Sequence, residues 1–421
     1  MPDAPVSPKK AGGTAGPAAE GAARARARDR TLLLAVILSV IVVALFGAYL
    51  VVTPDPVTRP ESKPAPTAAS PPAAPHSLTL IAPRSLIEAE LLSDFETASS
   101  LSVNLVSYDN EESLLEVASG AAIAADVVLA SGSTIHEFIR GGRLAILSAR
   151  KITNLAQIDP SLRTLAERYD RGGLHAVPFA WTTYGLGVNR ESVASGLGAQ
   201  ATSDGIPASW SLLFDPLQAA KLASCGIIAV DMPSIAFPVA LQFLGLPPGS
   251  EIPNDIERAS ALWEGARPFI KTFDTAAPVE AMAAGTACLT LASAADVYRA
   301  RALARDAVRP FDIDFLVPRE GALLRVFMLA VPRTTPNTDR AMQLIDYLLR
   351  PEVSARMSNT RWFANAIPAS RLYVRQEIKD DPDIYTDLAT YSLLFPEGTP
   401  TPATSTLRAR FWRLMSGGSA R

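Results

Sequence analysis

The most constraining feature of the chain is a pair of long apolar runs set far apart. The first, AVPFAWTTYGLGVN at Ala176–Asn189, is opened by Pro178, punctuated by Gly185 and Gly187, and closed by a polar Asn189. Its β-branched and aromatic content reads as a buried extended strand. The second, IDFLVPREGALLRVFMLAVP, occupies residues 313–332. More than a hundred residues of mixed helix and strand signals separate the two. Such a layout predicts two lobes joined by an outgoing and a returning crossing, with a ligand held in the crevice between them. Two core strands within one α/β domain are the alternative reading of the same pattern.

A chain of 421 residues is long enough for two or three domains. Its formal net charge of −3 carries no basic footprint, so nucleic acid is not an expected partner. Three histidines and two cysteines leave little material for a metal site. No metal and no cofactor is expected.

The first 76 residues have their own logic. Residues 1–31 are rich in Ala, Gly and Pro, carry Arg24, Arg26, Arg28 and Arg30, and show no periodicity, which reads as a disordered tail. Residues 32–52 (LLLAVILSVIVVALFGAYLVV) hold no charge. As a helix they would span roughly 30 Å, one bilayer core. The arginines before this stretch place the N-terminus in the cytoplasm. A cleaved secretory signal is the rival reading. The long basic leader, the overlong apolar run and the absence of a cysteine after it favour an uncleaved anchor. Residues 53–76 follow as a linker with eight prolines between positions 54 and 75, semi-rigid and up to roughly 70 Å long at about 3.1 Å per residue.

From Ser77 onward strand and helix signals alternate. Strands are expected at 78–82, 103–108, 126–130, 226–230 and 286–292, and helices at 85–97, 111–119, 135–140, 235–244, 256–271, 279–284, 297–304 and 339–349. This alternation builds a mostly parallel sheet covered by helices, an α/β fold. Ligands on such sheets sit beyond the carboxyl ends of strands, which makes the loop from Ser131 to Ser133 a candidate site; an ordinary helix cap explains it equally well. Asp296 follows an apolar strand among small residues and either faces the cleft, where it would meet a cationic group, or caps a helix. Phe411, Trp412 and Leu414 are expected to pack a last helix onto the body.

No catalytic motif is present. His136-Glu137 lacks a second histidine at helical spacing, and there is neither a nucleophile elbow nor a phosphate-binding glycine loop. An enzyme is not expected. Cys225 and Cys288 read either as a disulfide, if their lobe lies outside the cytoplasm, or as separate buried thiols. As a disulfide closing about 63 residues they would contribute roughly 4 kcal/mol on a chain-entropy basis.

Several segments, in order and with conserved spacing, carry a family resemblance: AVPFAWTTYGLGVN, KLASCGIIAVD, AAGTACLTLASAADVYRA, FLVPREGA, IDYLLRPEV and WFANA. Residues 77–421 closely resemble the putrescine-binding periplasmic proteins, the polyamine-class substrate-binding proteins of ABC transporters. The resemblance implies a two-lobe type II periplasmic binding fold with two hinge crossings, here preceded by the transmembrane helix. It also implies a disulfide between Cys225 and Cys288, ABC permease subunits as partners, and a binding domain in the periplasm tethered to the inner membrane. Lobe 1 is expected over 77–179 and 320–366, and lobe 2 over 180–319 and 367–421.

The resemblance also assigns site residues. The family's cleft carboxylate falls on Asp296, a cleft serine on Ser131, a hinge tryptophan on Trp181, and a tyrosine on Phe363, which keeps the ring and loses the hydroxyl. Elsewhere the polyamine pattern fails. The aromatic first loop becomes Pro83, Arg84, Ser85 and Leu86; a cage tryptophan becomes Ser293; an acid on the return strand becomes Phe327; another acid becomes Ser234. Each lost carboxylate costs a buried ammonium several kcal/mol, and each lost aromatic face about 0.5–2 kcal/mol. At about 1.4 kcal/mol per decade, diamine binding would weaken by orders of magnitude. The expected ligand is therefore a small cationic or zwitterionic solute, with Arg84 and Asp296 as opposed charges in the zwitterionic case. A sensor or interaction protein reusing the fold without transport is the alternative.

Overall fold

The computed structural model describes residues 77–117, 123–198, 205–305, 312–386 and 392–417. The expected tail at 1–31, the anchor at 32–52 and the linker at 53–76 lie outside the described residues. Among the described residues, no helix is long and apolar enough to cross a membrane.

Eleven described strands form one mixed sheet. In the first wing, β1 (Ser77–Pro83) lies between β2 (Ser102–Tyr108) and β3 (Val127–Ser131), all parallel. In the second wing, β5 (Ile227–Ala229) lies between β6 (Ile270–Phe273) and β7 (Leu289–Ser293), again parallel. Two central strands join the wings: β4 (Ala176–Asn189) and β9 (Ala322–Ala330) run antiparallel to each other, β9 pairs with β3, and β4 pairs with β7. The short strands β8 (Ile313–Leu316) and β10 (Ala364–Asn365) add to β4, and β11 (Leu394–Pro396) adds to β9.

The apolar continuity of the two central strands follows from burial on both faces. All nine positions of β9 are buried, and along β4 only Trp181 is partly exposed. Each strand also changes core along its length. Ala176–Ala180 of β4 and Val326–Ala330 of β9 belong to one buried cluster, whereas Tyr184, Leu186, Val188 and Leu323 belong to the other. The changeover falls where Thr182 pairs with Arg325.

Several expectations need correction. Residues 313–332 form two strands rather than one, because Pro318 has no N–H to donate and Gly321 turns the chain at φ +111°. The helix expected over 256–271 is Pro253–Ala266, and its last residues form β6. The first helix begins at Ala89 rather than at 85, because Leu86 and Ile87 bend down into the core. The final helix, Pro402–Ser416, buries Trp412 and Met415, while Leu414 is exposed.

Cys225 and Cys288 are joined in a disulfide with 5.5 Å between their Cα atoms. They sit just ahead of β5 and β7, whose parallel pairing begins at Ile227 and Leu289.

Candidate functional site: a charge-balanced cleft

A cleft of 410 Å³ opens where the two wings meet, a volume suited to a small solute. The parallel pairing of Pro83 with Tyr108 sets the ends of β1 and β2 side by side, so the loops that follow leave from one edge. Arg84 and Asp109 face each other across those loops at 2.8 Å, both more than half exposed. Deeper in, Glu111 starts a helix and is only 5% exposed. It accepts from the Ser131 backbone N–H at 2.7 Å, from Ser131 Oγ at 2.5 Å and from Thr134 Oγ1.

The central strands supply the floor. Arg325 and Phe327 are alternate residues of β9 and point to the same side; with Tyr184 of β4, both line the cleft. Phe363 meets Phe327 edge-on at 5.8 Å. On the far wall, the helix Ala294–Arg305 presents Asp296 and Arg299, and Arg361 ends the helix Pro351–Arg361.

Asp296 is not the helix cap the sequence allows. Ser293 takes that place: its Oγ accepts from the Asp296 N–H at 3.1 Å and donates to the Asp296 carboxylate at 2.7 Å. Asp296 is thus left one turn in, with its carboxylate held toward the cleft. Burial pushes its pKa up, opposed by the Ser293 hydrogen bond and by the charges of Arg299 and Arg361. Arg299 lies 3.4 Å away. Arg361 pairs with Glu88 at 2.6 Å, and burial lowers its pKa. Its Nε is buried with no hydrogen-bond partner among the described residues.

Arg325 is the most confined charge in the site, 1% exposed. Burial alone would favour loss of its proton, but Glu397 and Glu111 more than offset this and hold it charged. The sequence reading missed Arg325, although it is the one charge inside ALLRVFMLA. A cation in a strand buried on both faces requires a partner. That partner, Glu397, lies beyond β11 and carries no local sequence signal.

The structure places the expected residues unevenly. Arg84, Ser85, Asp296, Phe327 and Phe363 line the cleft. Ser131 is fully buried and committed to Glu111, and Ser293 is fully buried and committed to Asp296. Trp181 packs edge-on against Tyr385 at 6.4 Å rather than into the cleft. Arg84 is already neutralised by Asp109, so it does not stand opposite Asp296 as a free cation.

Two parallel wings, two crossing strands and a solute-sized cleft between them define a two-lobe solute-binding protein. The bacterial extracellular solute-binding protein family matches residues 90–386, and the chain belongs to that family. The putrescine-binding periplasmic protein PotF of Escherichia coli is 30% identical over 333 residues, covering 79% of this chain and 89% of that protein. The putrescine-binding periplasmic protein SpuD of Pseudomonas aeruginosa is 28% identical over 332 residues, with the same coverage. Among solved structures, a spermidine/putrescine ABC transporter protein from Listeria monocytogenes superposes with a TM-score of 0.71 at 19% identity, over 81% of this chain and 98% of that one. The chain is a binding protein, not an enzyme, and its described body is a periplasmic binding domain of the kind these relatives carry.

Proposed function

We propose that the chain is a membrane-tethered periplasmic receptor of the polyamine-importer class whose cleft takes a small solute carrying both an amine and an anionic group. The observation that carries this reading is the charge balance of the lining. Within the lining itself four guanidinium groups, on Arg84, Arg299, Arg325 and Arg361, stand with four carboxylates, on Asp109, Glu111, Glu280 and Asp296, while Glu88 and Glu397 pair with Arg361 and Arg325 from outside it. A diamine brings two positive charges and is best held by a lining with excess negative charge. A zwitterion suits a balanced one, its ammonium toward Asp296 and its anionic group toward Arg361, whose buried Nε lacks a partner among the described residues. Phe327 and Phe363 offer apolar faces to a short methylene chain.

The relatives' names point to delivery of the bound solute to an ABC permease, and the uncharged run at 32–52 supports a tether in the inner membrane with the body in the periplasm. The sensor alternative gains no support from those relatives.

Calorimetric titration of the purified full-length chain with 4-aminobutyrate, 5-aminovalerate, putrescine and spermidine tests the proposal. Zwitterion binding is expected to fall at least tenfold in Asp296→Asn and in Arg361→Gln alike. Tight diamine binding that is abolished by Asp296→Asn and untouched by Arg361→Gln would overturn it.

A further inference from the structure

We infer that Arg325 is a built-in occupant of a cation subsite and so fixes how many positive charges a ligand can bring. This rests on reading the cleft as the ligand site. The guanidinium is gripped from several elements at once. Nε donates to Glu397 Oε2 at 3.1 Å and Nη2 to Glu397 Oε1 at 2.6 Å, the bidentate geometry of a strong carboxylate pair. Nη2 also donates to Ser234 Oγ at 3.0 Å, and Nη1 lies 3.7 Å from Met232 Sδ. The guanidinium carbon stands 5.6 Å from the centre of the Tyr184 ring. Glu111, itself buried, adds a second negative charge from the first wing.

A carboxylate fork, a hydroxyl, an aromatic face and a second carboxylate are the parts a protein uses to recognise a ligand's guanidinium or ammonium. Here they surround the chain's own cation. A purely structural ion pair has no reason to border the cleft, and replacing buried pairs by apolar groups is often neutral or stabilising. Arg325 instead lines the cleft together with Tyr184, Met232 and Glu111, so part of the cage wall is also cleft wall. With the cage filled from within, the open volume needs to satisfy only one further cation, near Asp296. Arg325 is thus a specificity-determining residue that turns a two-cation cleft into a one-cation cleft.

Removing the side chain should return the subsite to solution ligands. In the full-length protein, Arg325→Ala is expected to melt below wild type and to recover in a saturable way with millimolar methylguanidinium, while wild type does not respond. Agmatine, with a guanidinium at one end and an ammonium at the other, should bind the variant at least tenfold more tightly than wild type. Adding Glu397→Gln should weaken the methylguanidinium response at least tenfold. If Arg325→Ala does not fold, Arg325→Ser empties the cage in the same way while offering a hydroxyl to Glu397, and the same titrations apply. Absence of rescue in a folded variant, or an equal response in wild type, would overturn the inference. Methylguanidinium probes the cage whatever solute the wild-type cleft holds, so a failed cage and a failed zwitterion site give separable results.

Discussion

The Tyr298 hydroxyl has one proton to donate and two carboxylates within reach, Asp381 at 2.8 Å and Asp383 at 3.0 Å. Burial, with the neighbouring charges of Asp381 and Asp314, raises Asp383 to about 6 from its ordinary 3.8, against the pull of the Tyr298 hydrogen bond. An acid whose folded pKa lies above its unfolded value holds extra protons in the folded state across that window. The Asp383 contribution to stability therefore falls as pH rises from about 4 to about 6, then levels. At 1.36 kcal/mol per unit, Asp383 accounts for up to about 3 kcal/mol of that fall. Asp383→Asn should flatten the thermal-melting profile in this window and raise the melting temperature at pH 7.5; an unchanged slope would contradict the assignment. Glu112, pushed by burial to about 7 and with a buried Oε2 that has no hydrogen-bond partner among the described residues, acts with the same sign at higher pH. Glu112→Gln should stabilise the protein at pH 8 more than at pH 5 in the same melts.

The central strand β4 leaves no room at its glycines. A Cβ on Gly185 would lie 2.6 Å from Phe315 Cζ and 2.7 Å from the Leu316 carbonyl oxygen, and that carbonyl belongs to the strand paired with β4. Gly185→Ala should cost about 1–3 kcal/mol, read as a lowered denaturation midpoint with unchanged slope. The nearby disulfide closes a separation of 63 residues, and its reduction should cost roughly 4 kcal/mol in the same experiment. Elements of this kind were the legible part of the sequence. β4 runs over Ala176–Asn189 in both the sequence reading and the structure, because burial on both faces writes an uninterrupted apolar run. β6 was hidden, since IKTF is half exposed at a sheet edge and continues a helix without a break signal. Within the site, Asp296, Phe327 and Phe363 could be placed through the family resemblance. Whether Ser131 and Ser293 were open to a ligand could not, because that depends on Glu111, 20 residues from Ser131, and on the Asp296 carboxylate. The Arg325–Glu397 pair spans 72 residues, a distance at which no local periodicity links two charges.

At the scale of the whole molecule, both crossing strands pass from one buried cluster to the other within a few residues of the Thr182–Arg325 pair. The fixed cation therefore sits where the two buried clusters meet along the central strands. Asp296 and Arg361 line the same cleft and act on each other electrostatically. The most direct test of a charge-balanced site is a matched pair of ligands on the same butylene chain. Putrescine ends it in two ammonium groups, whereas 5-aminovalerate replaces one of them by a carboxylate. Calorimetry of the full-length wild-type chain at pH 7 is predicted to give at least tenfold tighter binding for 5-aminovalerate. Tighter binding of putrescine would contradict the account and make the cleft a diamine site.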